Sequence, residues 1–168
     1  LETATLRRLV GFHRKTRSAC TLLTAVLPDA DGYGRIIRGA NGNVVAIRED
    51  RDSSPDEKQV HEINSGVYCV RSRDLFQALD KVRLNPKKKE YYLTDIISVL
   101  NAAKLKVSAL AMKDYEEGFG VNSREDLAAA TEVLRYRFLK RLMEQGVTVV
   151  DPASTFVGAT TRIGRDTI

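Results

Sequence analysis

Cysteine is scarce. Only Cys20 and Cys69 occur in 168 residues. Neither belongs to a CxxC pair or a Cys/His cluster, which removes support for a disulfide scaffold or a zinc site. Both sit in apolar stretches, SACTLLTAV and GVYCV, and read as buried, reduced thiols. The two histidines, His13 and His61, are far apart without ligand-like spacing and read as structural or solvated. Long apolar runs are also missing, and nothing approaches the ~18 to 20 residues that a membrane-crossing helix needs. The first residues lack a basic-then-apolar leader pattern. The chain begins at Leu1 rather than Met, which reads as a processed chain, an engineered piece or an internal fragment. No GxSxG, Walker loop or HExxH segment occurs, so covalent nucleophilic catalysis has no support.

What is present is ordinary for a folded chain: 43% hydrophobic and 29% charged residues, neither disordered nor fibrous. Lys plus Arg is 27 against 22 for Asp plus Glu, a net charge of +5. The basic residues gather at Lys87-Lys88-Lys89 and at Arg135, Arg137, Lys140 and Arg141. No aromatic-interleaved RNA-binding motif or zinc finger accompanies them, so they read as solvated faces and no nucleic-acid partner is expected.

Strand and helix signals alternate along the chain. Residues 3–16 have the helical period, with Leu6, Leu9 and Val10 on one face. Residues 19–27 read as a buried strand ended by Pro28. Residues 34–38 and 43–48 read as a hairpin around Ala40-Asn41-Gly42, the Asn-Gly step supplying positive φ. The charged stretch 49–59 can start a helical turn at Ser53-Ser54-Pro55. Residues 60–70 read as a strand covered on both faces, because the second half is nearly all apolar. Residues 72–83 read as a helix with Ser72 as N-cap, ended by Pro86. A helix over 94–104, a strand over 106–112 and a long helix over 123–145 follow. Ser123-x-x-Asp126 resembles a capping box, and Gly146 stops the helix. This alternation predicts an α/β sheet covered by helices.

The last stretch changes character. VGATTR and IGRDTI repeat an aliphatic residue at a spacing of six, which suits the short strands of a parallel β-helix. One coil cannot bury its own core.

Several residues are candidates for chemistry, each beside a plainer role. Gly32-Tyr33-Gly34 is either an ordinary turn or a place where backbone meets a ligand. Glu49 opens a charged loop. Asn64 lies inside a strand, where Asn is disfavoured, so it suggests a polar group aimed into a cleft. Tyr92 and Thr94 stand at a helix start, and Thr94 could be an N-cap. Asn122 is a turn residue or an oxygen donor to a hard cation such as Mg²⁺.

In their order, GYGRI (32–36), IREDRD (47–52), EINSGVY (62–68), EYYLTDI (90–96), GVNSREDLA (120–128) and the terminal hexads resemble a known family. It is the bacterial bifunctional N-acetylglucosamine-1-phosphate uridyltransferase/glucosamine-1-phosphate N-acetyltransferase. The resemblance runs from about Leu1 to Ile168. It implies the C-terminal part of a Rossmann-like nucleotidyltransferase domain over 1–122, a linker helix over 123–146, and the first coil of a left-handed β-helix over 147–168. It implies that Gly34, Glu49 and Asn64 hold the N-acetylglucosamine group, that Tyr92 and Thr94 line the same pocket, and that Asn122 is a Mg²⁺ ligand. It also implies a cytoplasmic chain that binds UDP-N-acetylglucosamine or N-acetylglucosamine 1-phosphate.

Where the family more often has Glu-x-Lys-Asp, this chain has Glu49-Asp50-Arg51-Asp52. Arg keeps the charge and changes its geometry. The family's LAAGxGTRM-type nucleotide loop, its Pro-Lys and its acidic Mg²⁺ ligand do not occur in these residues. The reading is therefore a sugar-binding half that does not turn over alone. The alternative is a non-catalytic sugar-nucleotide-binding or assembly module. An open sheet edge and a lone coil further predict a homo-oligomer.

Overall fold

The computed structural model describes residues 1–86 and 89–168. The expected basic run Lys87-Lys88-Lys89 has its first two members outside the described residues. The chain divides into two compact units, Leu1–Gly118 and Phe119–Ile168.

The first unit is a five-stranded mixed sheet. Its strands are β1 (Cys20–Val26), β2 (Arg35–Arg38), β3 (Val44–Arg48), β4 (Glu62–Val70) and β5 (Val107–Ala111), ordered β3-β2-β4-β1-β5. β1 runs parallel to β5 and antiparallel to β4, and β2 is antiparallel to both β3 and β4. Helix α1 (Thr3–Thr16) covers one face, where Leu9 packs with Leu23, Ala25, Ile63 and Met112. Helices α3 (Ser72–Leu79) and α4 (Ile96–Ala102) cover the other. There Ala78, Ile96, Ile97 and Leu100 pack with Leu22, Ile36, Ile47 and Val107. A short helix α2 (Pro55–Lys58) sits between β3 and β4 and is capped reciprocally by Ser54 and Glu57. Alternate residues of a strand face opposite sides, and β1, covered on both, is buried at six of its seven positions, Thr21 and Thr24 included.

Five local expectations need correction. On α1 the buried stripe is Thr5, Leu9 and His13, while Leu6 and Val10 stay about 40% exposed. The expected stripe was rotated because His13 is drawn inward by a bond between its Nδ1 and the Thr21 hydroxyl (2.9 Å). The β2–β3 hairpin has one left-handed residue, Gly42, rather than two in succession. Its turn closes from the Gly42 N–H to the Gly39 carbonyl (2.8 Å), and a bulge between Ile37 and Arg38 absorbs the extra residue. β4 is only partly buried through its second half: Tyr68 and Val70 lie at the margin of one core cluster, and Val67 and Cys69 at the margin of the other. The N-cap of α3 is Arg71, without a side-chain cap bond, and the helix ends at Leu79, well before Pro86. Thr94 is not an N-cap: it lies in a 3₁₀ turn, Leu93–Asp95, and Asp95 precedes α4.

The thiols are free, with Cys20 buried and Cys69 partly buried. Burial, with the nearby Cys69 adding to it, pushes the Cys20 thiol up to about 12.

The second unit is built on α5 (Arg124–Glu144), which opens with the Ser123/Asp126 capping box. Residues 147–168 form turns and extended segments but no strand, so the expected short strands are not seen. The segment returns on itself all the same. The Thr148 N–H donates to the Thr167 carbonyl and the Asp166 N–H to the Gly146 carbonyl, both at 2.8 Å. Val147, Val157, Ile163 and Ile168 line an apolar hollow of about 410 Å³ together with Leu142. Among the described residues no helix is long and apolar enough to cross a membrane.

Candidate functional site

Three of the expected residues meet through strand register. Arg35 of β2 faces Arg48 on one side and Ile63 on the other. One step toward the N-terminus of β2, the same register sets Gly34 between Glu49 and Asn64. A bond from the Asn64 N–H to the Gly34 carbonyl (2.8 Å) closes this row. By alternation the row lies on the face of Ile36 and Ile47, the face that α4 covers further along.

Gly34 is constrained by its neighbours. A Cβ there would stand 3.2 Å from Ile47 Cγ2 and 3.5 Å from Glu49 Oε2. The carboxylate is placed from the other side by Thr94, whose hydroxyl donates to Glu49 Oε1 (3.3 Å). Tyr92 precedes that turn and is partly buried; its carbonyl accepts the Asp95 N–H at 3.1 Å.

Asn64 is held at a two-residue bulge. Leu23 faces Val67 and Thr24 faces Asn64, so Ser65 and Gly66 are looped out of the ladder. Gly66 has φ +76°, a conformation that other residues adopt only with strain. Its N–H donates to Asn64 Oδ1 (3.1 Å), and the Ser65 hydroxyl donates to the Leu23 carbonyl (2.7 Å).

Sequence reasoning missed two members of this neighbourhood. Tyr68 accepts a hydrogen bond from Asn64 Nδ2 (2.8 Å). Burial pushes its phenol up, the Asn64 bond pulls it down, and the charges of Cys20 and Glu49 push it up again; the net direction is upward. Arg35 is fully buried. It pairs with Asp50 (3.1 Å) and Asp31 (3.5 Å) and donates to the Tyr33 carbonyl. It therefore joins the segment before Gly34 to the segment after Glu49. The only sequence signal for either residue was its place inside a motif that had been read for other residues.

A further polar set braces β4 at its start. Arg38 donates twice to Glu62 (2.7 Å each), and Thr24 donates to the same carboxylate (2.7 Å). Burial pushes the Glu62 carboxyl up, but the bonds from Arg38 and Thr24 and the Arg38 charge outweigh it, so the group lies below its ordinary value.

Asn122 belongs to the second unit, where it is exposed. Its N–H donates to Asp126 (2.9 Å). Among the described residues no group of three or more His, Cys, Asp or Glu could hold a metal ion. The basic residues of α5 are not a uniform free face. Arg135 pairs with Glu132 and stacks over Phe156, 5.1 Å from the ring centre, and Arg141 lies 5.8 Å from the Phe138 ring centre.

Comparison with known proteins bears on the whole chain. Over 168 residues it is 49% identical to the bifunctional protein GlmU of Pelotomaculum thermopropionicum, covering 100% of this chain and 37% of that protein. The corresponding protein of Clostridium novyi is 45% identical over 168 residues, with 100% and 37% covered. That of Acetivibrio thermocellus is 42% identical over 168 residues, with 100% and 36% covered. The chain thus spans only 36–37% of the length of these relatives. No family model matches it. A solved structure from Bacillus anthracis, described as a glucose-1-phosphate thymidylyltransferase in complex with a sucrose, aligns with a TM-score of 0.51 and 19% identity. It covers 74% of this chain and 48% of that one, a likeness of fold alone. The resemblance read from the sequence is therefore shown as a full-length similarity of this chain to a segment of the GlmU proteins.

Proposed function

We propose that this chain carries the sugar-binding part of a sugar-1-phosphate nucleotidyltransferase of the UDP-N-acetylglucosamine-forming type. The reaction would join UTP and N-acetylglucosamine 1-phosphate to give UDP-N-acetylglucosamine and pyrophosphate. The observation that carries the reading is the row Gly34, Glu49 and Asn64, drawn from the start of β2, the end of β3 and β4 itself, and closed by the 2.8 Å bond between Asn64 and Gly34. A pyranose needs acceptors for its hydroxyls, a donor for its acetamido carbonyl and a wall without bulk. Glu49 supplies the acceptor, the second Asn64 amide N–H the donor, and Gly34 the open wall. Tyr92 and Thr94 line the same side.

In that reaction an oxygen of the sugar phosphate attacks the α-phosphorus of UTP. The bond to the β-phosphate bridging oxygen breaks, and its electron pair leaves with pyrophosphate. These residues orient the sugar so that its phosphate is presented, a contribution of positioning. Mg²⁺, when bound, would neutralise charge gathering on the phosphates. Octahedral Mg²⁺ needs a set of oxygen ligands, and Asn122 offers one neutral oxygen. These residues by themselves do not fit a complete Mg²⁺ site.

We further propose that 123–146 is a linker helix and 147–168 the opening coil of a left-handed β-helix. The two returning bonds at 2.8 Å and the apolar hollow around Val157 and Ile163 support this. β5 stands at one edge of the sheet, and an edge strand favours self-association of the chain.

The test is a titration of the chain with UDP-N-acetylglucosamine, followed by amide NMR with and without Mg²⁺. Saturating shifts centred on 33–35, 48–50 and 63–68 are expected, and they should be lost in Asn64→Ala. No shift at millimolar ligand, or shifts unchanged in that variant, would overturn the assignment. UTP-dependent pyrophosphate release by these 168 residues alone would overturn the reading as a sugar-binding half.

A further inference from the structure

Asn64 and Tyr68 are four residues apart on β4. In a regular strand four residues span about 13 Å, too far for their side chains to bond. Their partners on β1 are Thr24 and Leu22, only two residues apart. The looped-out Ser65 and Gly66 remove two residues from the ladder, so the pair stands as near neighbours on one face. Nδ2 of Asn64 then reaches the Tyr68 hydroxyl at 2.8 Å. The other end of the carboxamide is fixed by the Gly66 N–H on Oδ1 (3.1 Å). With both ends held, the carboxamide has one orientation, with its remaining N–H and its remaining lone pair in set directions.

We infer that Tyr68 is a positioning residue of the sugar site: its hydroxyl fixes the Asn64 carboxamide and so determines which amide group meets the sugar. This rests on the sugar-binding reading for its consequence, but not for its geometry. The phenol suits the task. Its oxygen accepts from Asn64 and keeps a proton, and its surroundings hold it in the neutral form. Phenylalanine would fill the same space and lose only the oxygen.

Two measurements test this. In the free chain, the Asn64 side-chain NH₂ signals should be dispersed and slow to exchange with water. In Tyr68→Phe they should move toward free-carboxamide positions while backbone signals outside 62–70 stay in place. In the second, affinity for UDP-N-acetylglucosamine is compared across the wild type, Tyr68→Phe, Asn64→Ala and the double variant. Tyr68→Phe should weaken binding about five- to tenfold in the wild-type background and have no further effect beside Asn64→Ala. Unchanged NH₂ signals in Tyr68→Phe would overturn the inference. So would an equal loss in both backgrounds, which would mean that Tyr68 acts on the sugar directly. Should the wild type bind no sugar nucleotide, the sugar-binding reading fails, and the NH₂ signals still decide whether Tyr68 orients Asn64.

Discussion

The Asn64 N–H donates to the Gly34 carbonyl at 2.8 Å, and this bond ties β4 to β2 at the level of the candidate site. It continues the pairing of Arg35 with Ile63 by one step. Two residues 30 positions apart in sequence thereby become neighbours, and Glu49 joins them through the β2–β3 register.

Gly34→Ala should act on ligand binding more than on stability. The added Cβ would press Ile47 Cγ2 at 3.2 Å and stand in van der Waals contact with the Glu49 carboxylate at 3.5 Å, filling the space between Gly34 and Glu49. Sugar-nucleotide affinity should fall about tenfold, equivalent to ~1.4 kcal/mol. Isothermal titration of the variant checks this. An unchanged affinity would show that the Gly34–Glu49 spacing is not used.

The two carboxylates on Arg35 should prove unequal. Asp50 is 22% exposed and Asp31 is 87% exposed, while the Arg35 side chain is 1% exposed. Removing a partner of a buried charge leaves that charge uncompensated, whereas an exposed ion pair contributes little. Asp50→Asn should therefore cost about 2–4 kcal/mol, and Asp31→Asn under about 0.5 kcal/mol. Urea unfolding of the two variants measures the contrast. Equal losses would contradict the assigned geometry.

Stability should decline below neutral pH through His13. Burial, then the Arg71 charge, holds its imidazole below the ordinary value of 6.5. The unfolded chain therefore takes up the proton first as pH falls. Stability is full above about pH 6.5 and is lost as pH falls through the folded value. Glu62 works lower on the scale: its folded value lies below 4.5, so its contribution is lost only below that pH. Unfolding free energies at pH 7.5 and pH 6 should differ in the wild type and converge in His13→Gln. A flat profile in the wild type would exclude His13 as the source.

Thiol chemistry should separate the two cysteines. Cys20 is buried with its thiol pushed up to about 12, and a thiol that high has almost no thiolate to react. Cys69 is partly buried, and its thiol is raised by burial, with Arg14 opposing. A disulfide reagent at pH 8 should label Cys69 slowly and Cys20 only in denaturant. Labelling of both at one rate in the native chain would refute the burial of Cys20.

What the sequence by itself determined was short-range. Ser54 with Glu57, and Ser123 with Asp126, are three residues apart, and their helix starts form where that spacing places them. The helix over 3–16, though not its buried face, and the largely apolar strand β1 were equally legible, because helix and strand repeats are local geometry. The ordered motifs also carried the family resemblance, and with it the separate candidates Gly34, Glu49 and Asn64. Tertiary structure decided which residues meet. Thr94 reaches Glu49 across 45 positions, His13 turns inward to Thr21, and Arg35 loses its water to become a buried clamp. The Ser65–Gly66 bulge sets Tyr68 against Asn64. Each of these depends on strand register or on the packing of distant elements, and register is a property of two strands together that no single stretch of chain contains.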